Sequence, residues 1–286
     1  MSSIHSASSQ VLPLARAVQE RLRTRRLGRP MESYESLGST NERALAWARD
    51  GAPEGNTVVT DHQTDGRGRH GRRWAAQDGR SLTFSVVLRP SEVRSSGEGS
   101  RAALPLRRRG LIALAGGLAV CDAIADLGAA LTPRLKWPND VLLDSEKCCG
   151  VLVETASTGT SSAPVVLGIG LNVNQHDFPG VPAGRTPPTS LALAAGRSAL
   201  ERAPLLAQLL QHLEARYLSL FEDAGRAVRT ACETRMAPLR TRMAVRPTAA
   251  GDRVEGAFLG LALDGALRLR TARGERTFHA GDVTTA

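Results

Sequence analysis

Between two runs of apolar residues the sequence reads Gly66-Arg67-Gly68-Arg69-His70-Gly71-Arg72-Arg73-Trp74, three glycines and four arginines in nine residues. Glycine lets a backbone come close to a ligand and change conformation. Arginine presents planar donors matched to phosphate and carboxylate oxygens. A segment of this kind can act as a lid that closes over a polyanion, with Trp74 anchoring its far end. Arginine-glycine stretches also bind RNA without specificity, generally as repeats in tails. This one occurs once, inside a folded pattern. From the loop alone, both a nucleotide and an RNA fit.

Lysine usage adds a second clue. The chain carries thirty-five arginines and two lysines, Lys136 and Lys147. A compact, rotatable ammonium does what the wider, planar guanidinium cannot. Two lysines eleven residues apart therefore mark either chemistry or chance survival in an arginine-biased chain. Lys136 opens Lys136-Trp137-Pro138-Asn139-Asp140. Pro138 imposes an extended or turning backbone, so Asn139 and Asp140 can project from a strand end; the same residues also suit a plain turn. Lys147 opens Lys147-Cys148-Cys149-Gly150-Val151-Leu152-Val153-Glu154, where Gly150 leaves space beside it. Gly168-Ile169-Gly170-Leu171-Asn172-Val173-Asn174 closes another strand. Its glycines mark either a bulge or the close approach of a ligand.

These segments need elements to hold them. Val11, Leu14, Val18 and Leu22 fall at helical spacing behind a Ser-rich stretch at 1–9, predicting a short basic helix. Ser39-Thr40-Asn41-Glu42 caps a second helix. Strands are predicted at 57–60, 81–88, 135–137, 141–143, 151–154 and 165–173, with a turn at Asp144-Ser145-Glu146. Residues 104–127 read as a helix, and Leu205, Leu206, Leu209, Leu210, Leu213, Tyr217 and Phe221 form the core stripe of another. Stretches 91–101 and 155–163 read as flexible insertions. After Pro238, short strands near 254–259, 266–270 and 276–279 alternate with Asp264-Gly265 and Arg273-Gly274 turns. The pattern is α+β: a mixed β-sheet domain flanked by helices, followed by a small β-barrel. The boundaries expected are 1–30 for a tail and basic helix, 31–237 for the main domain and 238–286 for the barrel.

Composition narrows the classes. The 286 residues are 42% hydrophobic and 23% charged, which excludes global disorder. The net charge of +9 fits either a nucleic-acid partner or a locally basic site. Aromatics at 3% leave few stacking platforms for nucleic acid. Cys121, Cys148, Cys149 and Cys232 show no zinc spacing, and no metal-ligand set is expected among them. The Cys148-Cys149 pair reads as small buried residues or as a redox pair. The apolar run 111–121 is too short to cross a bilayer, and a cytoplasmic location is expected.

Taken together and in order, the motifs resemble the biotin–protein ligase family. The resemblance rests on Ser39-Thr40-Asn41, the Gly-Arg loop ending in Trp74, Lys136-Trp137-Pro138-Asn139-Asp140, Lys147-x-x-Gly150-x-Leu152-x-Glu154, Gly168-x-Gly170-x-Asn172 and Pro188-Thr189-Ser190-Leu191. It covers residues 36–193 by motif, and the C-terminal strands fit the family's SH3-like barrel, with Gly281-Asp282-Val283 near the end. It implies ATP-dependent activation of biotin to biotinyl-5′-AMP and transfer to a lysine of the biotin carboxyl carrier domain of a biotin-dependent carboxylase. By resemblance, Ser39, Thr40, Asn41, Gln63, Gly66, Arg67, Arg69, Lys147, Gly150 and Gly168 hold biotin. Arg69, Arg72, Trp74, Asn139, Lys147 and Asn172 hold ATP. Lys147, Arg67, Arg69 and Asp140 carry the chemistry, Asp140 by orienting or deprotonating the acceptor lysine. ATP and Mg²⁺ are the cofactors implied, and a homodimer is compatible. A lipoyl or octanoyl ligase is the nearest enzymatic rival, and a basic nucleic-acid-binding protein the rival from another class.

Two departures stand out. Asp65 adds a negative charge where the family has a small residue, and it is expected to pair with a neighbouring arginine. About thirty residues precede the catalytic motifs, too few for the winged helix of family members that repress biotin synthesis, so no operator binding is expected; with the longest apolar run so short, no membrane partner is expected either.

Overall fold

A computed structural model of the chain describes residues 13–75, 78–91, 93–94, 101–128, 131–156, 162–180, 186–236, 238, 240–247 and 251–285. In chain order these form α1 (Pro13–Arg21), β1 (Met31–Leu37), α2 (Thr40–Arg49), β2 (Thr57–Gln63), β3 (Ser81–Leu88), a ribbon of β4 (Val93–Arg94) and β5 (Arg101–Ala102), and α3 (Gly110–Ala125). Then come β6 (Arg134–Lys136), β7 (Asp140–Leu143), β8 (Glu146–Thr155), β9 (Val165–Asn172), α4 (Leu191–Ala194), α5 (Arg202–Glu222) and α6 (Arg226–Arg235). Last are β10 (Arg242–Arg246), β11 (Val254–Leu261), β12 (Leu267–Thr271), β13 (Gly274–Phe278) and β14 (Asp282–Thr285). The Ser-rich stretch 1–9 and Val11 lie outside the described residues, as do most of the two expected insertions.

Seven strands make a mixed sheet in the order β1-β2-β3-β9-β8-β7-β6, parallel between β1 and β2 and antiparallel elsewhere. The five C-terminal strands form an antiparallel sheet, β13-β12-β11-β10-β14; this is the separate small β unit expected there, but among the described residues β13 and β14 do not pair, so the expected barrel is not closed. Among the described residues, no helix is long and apolar enough to cross a membrane.

Strand alternation divides the main sheet into two unlike faces. Leu82, Phe84, Val86 and Leu88 of β3 and Leu167, Ile169 and Leu171 of β9 point into a core shared with α1, α3 and α5. α3 is apolar almost all round because it lies between this face and α5 and α6. On the opposite face, α2 covers one end through Ala44, Leu45 and Ala48 against Val58, Val87 and Val166. Beyond α2 the face turns polar or bare, with Ser81, Thr83 and Ser85 on β3 and Gly168, Gly170 and Asn172 on β9.

Several expectations shift. The helix expected over 104–127 starts only at Gly110, because Pro105 is extended (ψ 145°) and a short 3-10 turn, Leu106–Arg108, intervenes. The hairpin between β7 and β8 turns on Asp144 and Ser145, both at positive φ (46° and 71°), so Glu146 already belongs to β8. Two left-handed central residues match the twist of the flanking strands. β1, α6, β10 and β14 were not foreseen. β1 is mostly half-buried or exposed and shows no clean alternation, and α6 buries little beyond Val228 and Cys232.

Candidate active site

The uncovered face is the floor of a cavity of about 970 Å³. Ser39, Thr40, Asn41, Gln63, Arg67, Arg69, Arg72, Trp74, Asn139, Asp140, Lys147, Gly150, Gly168 and Asn172 all line it. Of the residues expected to hold biotin or ATP or to carry the chemistry, Gly66 alone stands outside that lining. It sits at the root of the loop, where a Cβ would meet Trp74 O at 2.3 Å and Gln63 Nε2 at 2.8 Å.

One end of the cavity is a hydrogen-bond network of neutral side chains that ends on a single carboxylate, Glu154. Ser39 caps α2, its Oγ accepting from Glu42 N–H. The Thr40 N–H and hydroxyl both donate to Gln63 Oε1, at 2.8 and 3.0 Å. Ser85 Oγ lies 2.8 Å from Thr40 Oγ1 and 2.6 Å from Asn41 Oδ1, and Asn41 Nδ2 donates to Glu154 at 2.6 Å. Thr40, Asn41, Gln63 and Ser85 are all buried. Gly168 is required here by close approach, since a Cβ would stand 2.0 Å from Asn41 Oδ1.

The middle belongs to Lys147, and the way it gets there is specific. β7 and β8 pair Leu142 with Lys147 but Val141 with Cys149, so Cys148 is an extra residue. A one-residue bulge reverses the facing of whatever follows or precedes it. Both cysteines therefore turn into the core, fully buried, with burial raising their thiol pKa values; they are inert packing residues rather than a redox pair. Lys147 turns to the cavity instead. Its Nζ lies 2.7 Å from Asp140 Oδ1, outside hydrogen-bonding angles, so the contact is coulombic. Its backbone pairs with the 187–189 segment, N–H to Pro187 O and O to Thr189 N–H.

Trp74 lies over the bare part of the floor. A Cβ on Gly170 would meet its indole at 2.3 Å, and one on Gly150 at 3.1 Å. Both Gly168 and Gly170 sit in unbroken β8–β9 and β3–β9 ladders, so close approach rather than a bulge explains them. The Lys147 ammonium is 5.7 Å from the Trp74 ring centroid.

The other end is charged. The Gly-Arg loop is a closed flap: Trp74 N–H bonds Gly66 O, Gly68 N–H bonds Arg72 O, and His70 turns the tip at φ 57°. Its arginines rest on the chain's own acceptors. Arg67 pairs with Glu42 at 2.9 Å and Glu154 at 3.4 Å. Arg69 donates to Asn139 Oδ1 at 3.3 Å, and Asn139 Nδ2 donates to Val151 O. Arg72 meets Asp282 of β14 at 2.5 Å, a pair that holds the Asp282 carboxyl below its usual range. Among the described residues Asp65 makes no ion pair, contrary to expectation. It is exposed, and the arginines beside it have turned to Glu42, Glu154 and Asp282. Lys136 also lines the cavity, bonded to Thr186 Oγ1 at 2.7 Å, with burial pulling its pKa down.

Sequence reasoning assigned no role to Ser85, Thr83, Gln175, Phe178 or the Asp282–Thr284 wall. For β3 a signal was present: Ser81, Thr83 and Ser85 alternate with Leu82, Phe84 and Val86, the mark of a polar face opposite the core.

Residues 34–172 match the model of the biotin/lipoate A/B protein ligase family. A bifunctional ligase/repressor BirA of Bacillus subtilis is 31% identical over 92% of this chain and 76% of its own length. A biotin–[acetyl-CoA-carboxylase] ligase of Paracoccus denitrificans is 34% identical over 86% and 96%. The chain belongs to the biotin–protein ligase family. A biotin protein ligase of Aquifex aeolicus, solved with biotin and ATP, superposes with a TM-score of 0.71 at 26% identity, covering 90% of this chain and 99% of that one. As a member of the family the chain is a ligase, and its mixed sheet with a separate small β unit is the family's architecture.

Proposed function

We propose that the cavity joins the biotin carboxylate to the α-phosphate of ATP and then passes the biotinyl group to a lysine of a biotin carboxyl carrier domain. The observation that carries this reading is the placement of the Lys147 ammonium between a neutral hydrogen-bonding end and an arginine-rich end of one cavity. In the first step a carboxylate oxygen bonds to the α-phosphorus and pyrophosphate leaves. Two anions must meet, so positive charge has to cover both and the leaving group. Lys147 serves between them, and Arg67, Arg69 and Arg72 serve the phosphates and shield the mixed anhydride. Ser39, Thr40, Asn41, Gln63 and Gly168 would hold the uncharged ureido ring, and Gly150 gives the tail room, while Gly66 acts on biotin only by letting the root of the loop pack against Gln63 and Trp74. Trp74, Asn139 and Asn172 fall to the nucleotide. In the second step the acceptor amine, having lost a proton, attacks the acyl carbon and AMP leaves. Asp140 orients that amine or takes its proton.

Mg²⁺ enters this reading as the companion of ATP. Such an ion is carried mainly by phosphates and water, and Asp140 is the cavity carboxylate beside Lys147 that could meet it. We assign 31–237 to the catalytic unit and 238–286 to the C-terminal unit, with 1–30 ahead of both. The reading is confined to the ligase reaction and includes no repressor role.

Biotin-dependent exchange of labelled pyrophosphate into ATP, followed by labelled biotin transfer to a carrier domain, tests it. Exchange supported by lipoate and not by biotin would overturn it.

A further inference from the structure

Glu154 ends the motif that Lys147 opens, and the reaction just described leaves it without a task. Alternation along β8 puts it on the strand face of Gly150 and Leu152, half-buried beside the first turn of α2. One of its oxygens, Oε2, takes donors from both ends of the cavity: Asn41 Nδ2 at 2.6 Å and Arg67 Nη2 at 3.4 Å. An ionised carboxylate can only accept, so the Asn41 group facing it is the donor, and Asn41 Oδ1 is turned to the Ser85 hydroxyl. The donor pattern shown to a ring ligand is thus set from outside the ring site, by a charge. The same charge steadies the flap, because Arg67 spans from Glu154 on β8 to Glu42 on α2.

An oxygen shared between two donors cannot follow one without leaving the other. Arg67 has two arrangements open to it, on the carboxylates of its own chain or on the anion of a ligand. In the second, Oε2 keeps the Asn41 amide alone, and that bond tightens because the two donors no longer divide one acceptor. A ligand that engages the Asn41 amide acts back on Arg67 by the same route, as linkage requires. We propose that Glu154 is a positioning residue that couples the two ends, so that a ligand at the Asn41 end and an anion at the Arg67 end favour each other's binding. The inference rests on the functional reading above, which gives biotin to the first end and ATP to the second.

Titration calorimetry on the full chain tests it, with the biotin Kd measured alone and under saturating α,β-methylene-ATP, whose α–β bridge cannot be cleaved. In the wild type the analogue should tighten biotin about tenfold, inside the roughly 5–150-fold range of coupled sites. Glu154→Gln is isosteric at a part-exposed position, so the fold should hold. It keeps an acceptor oxygen for Asn41 and loses the charge that Arg67 answers. The analogue should then change the biotin Kd by no more than about twofold. Biotin alone should bind within about fivefold of the wild type, the difference between a charged and a neutral acceptor. Glu42→Gln is the control: among the described residues the Glu42 carboxylate meets Arg67 at 2.9 Å without bonding Asn41, and its loss should leave the coupling at the wild-type value. A Glu154→Gln chain that loses biotin affinity by one factor with and without the analogue overturns the proposal, since that marks a merely structural role. So does an equal loss of coupling in both variants, since Arg67 alone would then carry it. No biotin binding in the wild type sinks the functional reading and this inference together, whereas biotin binding that the nucleotide leaves unchanged sinks this inference alone.

Discussion

The two ends of the cavity solve opposite problems. Around Thr40 and Gln63 the groups are buried neutral side chains bonded to one another through Ser85 and Asn41, and the network ends on one carboxylate, Glu154, which Arg67 also meets. Around Arg67, Arg69 and Arg72 the groups are charged, part-exposed and resting on carboxylates and an amide. A rigid neutral network selects by shape and donor pattern, because an ill-matched ligand leaves buried groups unpaired. A set of arginines on exchangeable partners takes an anion by swapping one acceptor for another, with little selectivity but strong field. The contrast is between reading a molecule and managing its charge.

Lys147 stands at the boundary, and its loss should have the largest effect. Lys147→Ala should lower the rate of biotinyl-adenylate formation by about a hundredfold or more, the scale of removing one donor aimed at developing charge. Circular dichroism and the melting curve should remain those of the wild type. A near-normal single-turnover rate would remove Lys147 from the boundary and from the chemistry.

An intermediate effect should separate the ends. Ser85→Ala unties Thr40 and Asn41 from β3 and leaves Asn41 Oδ1 without its donor. Titration calorimetry should show biotin affinity down about tenfold with ATP affinity unchanged, since one buried hydrogen-bonding group is worth about 1–3 kcal/mol. Equal weakening of both ligands, each measured alone, would show that the two ends are not distinct sites.

The smallest effect belongs to the Arg72–Asp282 contact. Both side chains are substantially exposed, and pairs of that kind contribute little to stability. Asp282→Asn should instead loosen the flap, seen as a few-fold faster tryptic nicking between Arg67 and Arg73. Acid should mimic it in the wild type. The folded carboxyl titrates below its unfolded value, so the unfolded chain binds more protons in the interval between the two. The contact is thus intact above the usual carboxylate pKa of about 4 and is lost as pH falls through the depressed one. A nicking rate unchanged both by the substitution and by acid would mean that the flap does not depend on β14.

The sequence carried the site's local motifs well. The loop, Lys147, Asn139–Asp140 and the glycines of β9 could be read because each is short, and alternation in β3 and β9 was enough to put them on strands. Asp282 was noted near the chain end but not linked to Arg72, 210 residues away, because no periodicity encodes a contact of that span. Asp65 was read from its neighbours in sequence and lost its expected partner to residues distant in the chain. Lys147 was found by type, yet the reason it faces the cavity was hidden, since the register of β7 on β8 is a property of the pair.

That register bears on which mutational histories the chain can survive. With Cys148 as the odd residue, Cys148 and Cys149 are replaceable by other small apolar side chains as far as packing goes, so drift in identity there is cheap. Drift in length is cheap only in one direction. Removing Cys148 would straighten β8 and still leave Lys147 opposite Leu142 and Cys149 opposite Val141, so the ammonium would keep facing the cavity. Flattening the bulge at the present length would turn that ammonium toward the aliphatic core and offer the Cys148 thiol to the substrates in its place. For this part of the molecule, the facing of the strand is the inherited quantity, and residue identity and count are negotiable only together with the bulge.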